Sequence, residues 1–228
     1  MSATFCLLVV AKAPVPGFAK TRLCPPATAQ QAAEIAASAL LDTLEAVFST
    51  PGAIPLVAMT GDLAKAARSD EIFRALRSAT VFAQRGWDFA TRLANAHADV
   101  NALHTGLPVV QIGMDTPQVT AEILTSAAEP LLYGGREAVL GPAEDGGWWA
   151  LGLRDPRHAA ALGEVPMSQD DTGKRTMLAL TASGLEVEPI AALSDVDTMF
   201  DARRVAKLRP NGRFATAVAA VRASGAAA

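Results

Sequence analysis

The chain of 228 residues has only two cysteines, Cys6 inside an apolar run and Cys24 beside two prolines. Two are too few for a disulfide framework, and they have no metal-ligand spacing, so both read as free thiols in a reducing cytosol. No run of about 18 or more consecutive apolar residues occurs, which argues against a membrane-spanning helix. No basic segment precedes the first apolar run, which Lys12 interrupts, so a signal peptide fits poorly and a cytoplasmic location is expected. Nor is there an excess of positive charge: the formal net charge is −3 and the isoelectric point near 5.6. That argues against a nucleic-acid binder working through a broad basic face. His97, His104 and His158 are scattered, without the spacing of a zinc site or a catalytic triad. The dinucleotide fingerprint G-x-G-x-x-G does not follow the first strand, and a Walker A loop is ruled out because Ala19 stands directly before Lys20, where that motif needs glycine.

What is present is an alternation. Apolar runs at Phe5–Val10, Pro55–Met59, Thr80–Ala83, Pro108–Ile112, Ala138–Gly141, Trp148–Leu153 and Leu185–Pro189 read as strands. Between them lie helix-length stretches at Thr28–Phe48, Leu63–Arg77, Trp87–Leu103, Thr116–Ala127, Thr172–Ser183 and Phe200–Arg209, and the tail from Thr216 starts as a helix before running out into alanine. This order predicts an α/β fold with a mainly parallel central sheet. Without an internal repeat or a low-complexity linker, a single domain over residues 1–228 is expected. Half the residues are hydrophobic, ample for a core.

Ligands of open α/β sheets sit beyond the carboxyl ends of the strands, and three loops there carry unusual residues. The first, "AKAPVPGFAKTRL", places Lys12, Lys20 and Arg22 within eleven residues, with Gly17 permitting close backbone approach and Pro14 and Pro16 stiffening the loop. Such cations suit a diphosphate or triphosphate; otherwise the loop is simply solvated. The second, "GMDTPQ", puts Asp115 at a strand end. Beside a phosphate-binding loop a carboxylate needs an intervening cation such as Mg²⁺, although an Asp before Thr-Pro also caps helices.

The third loop, "GPAEDGGWW", offers Glu144, Asp145 and Gly146 beside two tryptophans, a setting that suits a sugar or nucleobase, or a plain hairpin turn. Further on, Asp195 and Asp197 alternate around Val196, so in an extended segment both point to one side, where they can complete a metal site. Asp197-Thr198 equally suits the cap of a helix beginning at Met199. Arg85 and Arg92, in "QRGWDFATRL", read first as part of an amphipathic helix and second as phosphate ligands.

Taken in order, "AKAPVPGFAKTRL", "QRGWDFATRL", "IGMDTPQ", "GPAEDGGWWALGL" and "SDVDTMFDARR" resemble the nucleotide-diphospho-sugar transferase superfamily of GT-A fold. Within it the chain resembles the bacterial family of uncharacterised glycosyltransferase-like proteins (DUF2064-type), related to guanylyltransferases of cofactor biosynthesis, whose first loop has a pattern like Lys20-Thr21-Arg22. The resemblance implies a Rossmann-like three-layer sandwich. It further implies that Lys12, Gly17, Lys20 and Arg22 bind the phosphates, with Lys20 and Asp115 catalytic. Asp115, Asp195 and Asp197 would hold Mg²⁺ or Mn²⁺, and Glu144, Asp145 and Gly146 would meet the sugar or acceptor. Tryptophan at both 148 and 149 departs from many relatives.

The function expected is metal-dependent transfer from a nucleotide-activated donor, either a nucleotide sugar or a nucleoside triphosphate, to a small-molecule acceptor. The rival reading is a nucleotide-binding protein without turnover. No nucleic-acid partner and no membrane span are expected, and the sequence leaves the oligomeric state open.

Overall fold

The computed structural model describes residues 5–225. Strand β1 (Phe5–Lys12) is buried along its length until Lys12, because it pairs in parallel with β2 (Ala53–Thr60) on one side and β4 (Val109–Gly113) on the other. A strand covered on both faces is apolar at successive positions instead of alternating. Edge strand β3 (Thr80–Ala83) pairs in parallel with β2. Strand β6 (Trp148–Leu153) inserts antiparallel between β4 and β5 (Ala138–Pro142), and β7 (Val187–Pro189) runs parallel to β5. The result is one mixed, mostly parallel seven-stranded sheet in the order β3-β2-β1-β4-β6-β5-β7.

Alternate side chains of the strands feed two cores. Phe5, Leu7, Val9 and Ile112 pack under α1 (Ala29–Ser49), α2 (Ser69–Leu76) and α4 (Ala121–Leu132). Cys6, Leu8, Val10 and Val109 pack on the other face, under α3 (Phe89–Leu103), a 3₁₀ segment at Pro156–Glu164 and α5 (Thr172–Ala182). Helices thus cover both faces of the sheet, the three-layer α/β architecture the sequence predicts. Helix α1 is apolar nearly all round because its far side packs on α6 (Met199–Val205) and α7 (Arg213–Gly225), where Ile35 and Ala39 meet Met199 and Val218.

Helix ends differ from the sequence reading for local reasons. The stretch 63–77 breaks into a short 3₁₀ turn and α2, because Arg68 takes a left-handed conformation with φ 54°. Helix α3 starts at Phe89, not Trp87, since the Asp88 carboxylate caps it by accepting from Thr91 N at 2.7 Å. Helix α4 begins at Ala121, after Thr120 as cap, and residues 116–119 form a buried turn. The tail is helical from Arg213 to Gly225; the alanine end predicted to fray lies outside the described residues. Among the described residues no helix is long and apolar enough to cross a membrane.

Candidate functional site

The parallel strands β1, β2 and β4 end at one edge of the sheet, and the loops leaving them wall a cavity of about 810 Å³. The loop after β1 is held to this edge by its own backbone: Ala13 N donates to Thr60 O, and Phe18 N to Val15 O. Gly17, with φ +80°, makes the turn before Phe18. The Lys12 ammonium closes the loop by donating to the Phe18 carbonyl at 2.8 Å while staying exposed. Beyond it, Leu23 is fully buried against α1 and α6, and Lys20 adopts φ 47°, a conformation side chains rarely take. That anchored turn carries the Lys20 side chain into the cavity.

There the Lys20 Nζ donates to Asp115 Oδ2 at 2.8 Å and to Asp197 Oδ1 at 3.1 Å. Burial alone would depress the Lys20 ammonium, but the two carboxylates outweigh it and hold the proton more tightly than usual. Asp115 reaches this position because Gly113 leaves it room; a Cβ there would stand 2.7 Å from Asp115 Oδ1. Arg22, much more exposed, adds a second contact to Asp197 at 3.2 Å. Thr198 performs the helix capping, in a reciprocal box with Asp201, and so leaves Asp197 free to face Lys20.

The segment before α6 brings in Asp195. Leu193 N donates to Pro142 O, and Glu144 N to Leu193 O, so this segment lies along the β5–β6 loop and sets its acidic residues beside that loop. Asp145, Asp195 and Asp197 thereby place carboxylate oxygens within 4.8 Å of one another. Partial burial, then repulsion from Asp145, Asp115 and Asp197, lifts Asp195 to a pKa of about 6, with Lys20 opposing. The loop itself is a tight turn: Ala143 N donates to Gly147 O, Gly146 N to Ala143 O, and Gly147 N to Asp145 Oδ1 at 2.8 Å. Gly146, with φ +89°, abuts the Asp170 carbonyl so closely that a Cβ would overlap it. Gly173 N donates to Gly146 O at 2.8 Å, which clamps the turn to the start of α5.

A scan of family models matches residues 43–169 to a family described as uncharacterised proteins conserved in bacteria (DUF2064). The chain belongs to that family. No curated protein matches it in sequence. Among solved structures, a protein from Desulfovibrio desulfuricans G20, provisionally named a nucleotide-diphospho-sugar transferase, is 27% identical over 98% of this chain and 96% of its own, with a TM-score of 0.80. CMP:2-keto-3-deoxy-manno-octonic acid synthetase in complex with CTP is 10% identical, covering 91% of this chain and 99% of its own, with a TM-score of 0.55. The 4-diphosphocytidyl-2C-methyl-D-erythritol synthase of Anaerococcus prevotii DSM 20548 is 11% identical over 96% of each chain, with a TM-score of 0.56. The latter two share the fold with this DUF2064 protein.

Of the residues singled out from sequence, Lys12, Lys20, Arg22, Asp115, Asp145, Asp195 and Asp197 all line the one cavity. Three do not. Gly17 and Gly146 shape the loops without lining it, and Glu144 is exposed and pairs with Arg204. Asp115 stands outside the close trio of carboxylates, joined to Asp197 through the Lys20 ammonium that both contact, and Asp145 takes its place in the trio. Arg85 is spent on Asp99, and Arg92 lines the cavity.

Sequence reasoning missed Gln84 and Gln111. The Gln84 amide donates to both Ala11 O and Ala58 O, at 2.8 and 2.9 Å, tying the ends of β1 and β2 together beneath the first loop. Gln111 is a glutamine inside an otherwise apolar strand, and that interruption is the signal that marks it.

Proposed function

We propose that this DUF2064 protein is a divalent-cation-dependent transferase acting on a nucleotide-activated donor. The observation that carries the reading is the Lys20 ammonium in contact with both Asp115 and Asp197 on the cavity wall, with Asp195 and Asp145 on the same wall and Lys12 and Arg22 on the adjoining loop. Cations and carboxylates interleaved at one place match a ligand that is itself a cation bridged to phosphates. The donor set fits a hard divalent ion: all three close ligands are carboxylates, and the raised proton affinity of Asp195 comes first from burial and then from the neighbouring carboxylates whose field such an ion would neutralise. Mg²⁺ or Mn²⁺ would be held by Asp145, Asp195 and Asp197, with Asp115 close by, and when bound would neutralise charge on the phosphate oxygens.

The protein's own groups do the rest by placement. Lys20, Lys12 and Arg22 stabilise negative charge on the leaving phosphates, and Lys20 exchanges its carboxylate contacts for phosphate oxygens as the donor enters. With a nucleoside triphosphate, an acceptor oxygen bonds to the α-phosphorus as the α–β bridging bond breaks and pyrophosphate leaves. With a nucleotide sugar, the acceptor oxygen bonds to the anomeric carbon and the nucleoside diphosphate leaves. Neither route needs a covalent intermediate, since orientation alone makes the attack effectively unimolecular.

The test is a melting-temperature panel of the four nucleoside triphosphates and the common nucleotide sugars, each with and without Mg²⁺, followed by turnover assays on the class that binds. A ligand binding only the native state raises the melting temperature, so one class should do so, and only with the metal. Lys20→Met should then lower turnover about 100-fold or more. Absence of a shift with every nucleotide would overturn the reading.

A further inference from the structure

The cavity extends past the acidic cluster into a lobe on the α3 side of the sheet. Val10, Leu93, Trp148 and Met167 line the cavity and belong to or pack on the core of that face. Gln111 forms the floor. It alternates with Val110 and Ile112, which serve the opposite core, so its side chain points towards α3. It is only 2% exposed and lines the cavity, and its Oε1 makes no hydrogen bond of full geometry; His97 is the polar neighbour that approaches it, which leaves at least one of its two lone pairs open. Behind it His97 of α3 is fully buried, and its ring approaches Gln111 without reaching full hydrogen-bond geometry. Burial pulls the imidazole down to a pKa of about 4, against a weaker opposing pull from the Gln111 amide, so the ring is neutral near pH 7.

A buried acceptor left wholly unsatisfied costs on the order of 1–3 kcal/mol, and one with a single loose neighbour gains by accepting a further donor; a strand that needed only packing would carry a leucine here. The groups around this floor favour an uncharged occupant. Gln111 and the neutral His97 carry no charge. Asp145 and Asp170, also on the cavity wall, would repel an anion and offset the charge of Arg92, whose Nε–H donates to the Gly86 carbonyl. A flat indole beside an amide and aliphatic walls is the chemistry that holds a hydroxylated ring: C–H faces lie against Trp148 and a hydroxyl donates to the amide oxygen.

We propose that the Gln111 lobe binds the acceptor's head group, and that this group is an uncharged polyhydroxylated ring which donates a hydroxyl to Gln111 Oε1. The assignment of this end to the acceptor rests on the transferase reading above; the polyol-binding lobe itself does not.

The test uses saturation-transfer NMR of the full chain with glucose and myo-inositol as neutral probes and gluconate as the anionic one, alongside the indole N–H cross-peak of Trp148, identified through Trp148→Phe. At least one neutral ring should bind and move the Trp148 peak, and gluconate should bind at least about tenfold more weakly. Gln111→Met, close in size, should weaken the neutral ring at least about tenfold while the Mg²⁺–nucleotide melting shift stays as in the wild type. If Gln111→Met does not fold, Gln111→Asn carries the same comparison, with the amide withdrawn by one methylene. Failure of both neutral probes to move Trp148, equal binding of gluconate, or undiminished binding in the variants would overturn the proposal. Polyol binding without any nucleotide shift would leave the lobe standing and remove the transferase reading.

Discussion

Asp42 and Asp195 are both carboxylates that the fold withdraws from solvent, and it treats them in opposite ways. Asp42, on α1, is 1% exposed and surrounded by donors. Its Oδ1 accepts from the Arg213 backbone N and guanidinium, both at 3.2 Å, and its Oδ2 from Phe214 N at 2.9 Å. These N–H groups belong to the first turn of α7, which has no intrahelical acceptors for them, so the carboxylate caps that helix from across the core. Asp195 is withdrawn among Asp145, Asp115 and Asp197, with Lys20 as the compensating cation. A buried carboxylate given donors becomes a staple. Given other carboxylates, it becomes a place where an additional cation is favourable.

The largest effect that could break this contrast is expected at the staple. Asp42→Ala leaves the first backbone N–H groups of α7 without their acceptor, with Arg213 keeping only Glu45, and should cost about 3 kcal/mol in urea unfolding, the low end for breaking a buried pair. Mg²⁺-dependent nucleotide affinity in the variant that remains folded should change less than about threefold, since Asp42 lies outside the cavity. An affinity collapse parallel to the stability loss would show that the two carboxylates are not independent. At the other pole, Asp195→Asn should lower metal-dependent turnover about 100-fold while leaving the fold intact.

A subtler effect is a pH slope. Asp195 has a folded pKa of about 6 against a reference of 3.8, so between those values the native state keeps a proton that the unfolded chain has released. Its contribution to stability is therefore present below about pH 4 and lost as pH rises through about 6. Partial exposure limits the amount to about 1–2 kcal/mol. His97 slopes the other way: its pKa falls from 6.5 to about 4, so its contribution is present above 6.5 and lost as pH falls towards 4. The two oppose in the wild type, and the difference between wild type and Asp195→Asn isolates the carboxylate. That difference should favour the variant increasingly from about pH 4 to about pH 7 in denaturation curves, and Mg²⁺ should shrink it by stabilising the wild type. A flat difference would remove Asp195 from the electrostatic argument. The smallest effect is expected for Arg85→Ala, which opens an exposed pair with Asp99 and should change unfolding free energy by less than about 0.5 kcal/mol.

The sequence made the fold legible because β1 and β4 are continuous apolar runs separated by helix-length stretches, and the seven strands stand where those runs place them. It made the acidic site legible because Asp195 and Asp197 flank a buried Val196 at a spacing of two, which in extended chain sets both on one side. Helix starts were less legible, because Arg68 and Asp88 set where α2 and α3 begin through a backbone conformation and a cap that no periodicity announces. Contacts across long sequence separations escaped it. The Asp42 staple joins α1 to α7, Glu144 pairs with Arg204, and the exchange of Asp115 for Asp145 in the close trio depends on how the 193–195 segment lies against the β5–β6 loop. The polar floor escaped for a simpler reason: one glutamine in a strand is a chemical signal only after its neighbours are known.

The clamp between the β5–β6 turn and α5 has a consequence for genetics. At Gly146 a methyl group would overlap the Asp170 carbonyl, and at Gly173 it would stand 2.5 Å from the Gly147 carbonyl. Neither glycine lines the cavity. In a saturation library scored for growth or turnover, codons 146 and 173 would tolerate as few replacements as codon 197. Intolerance in this stretch would then measure how closely two backbones approach, and a ranking of positions by fitness would mistake carpentry for chemistry.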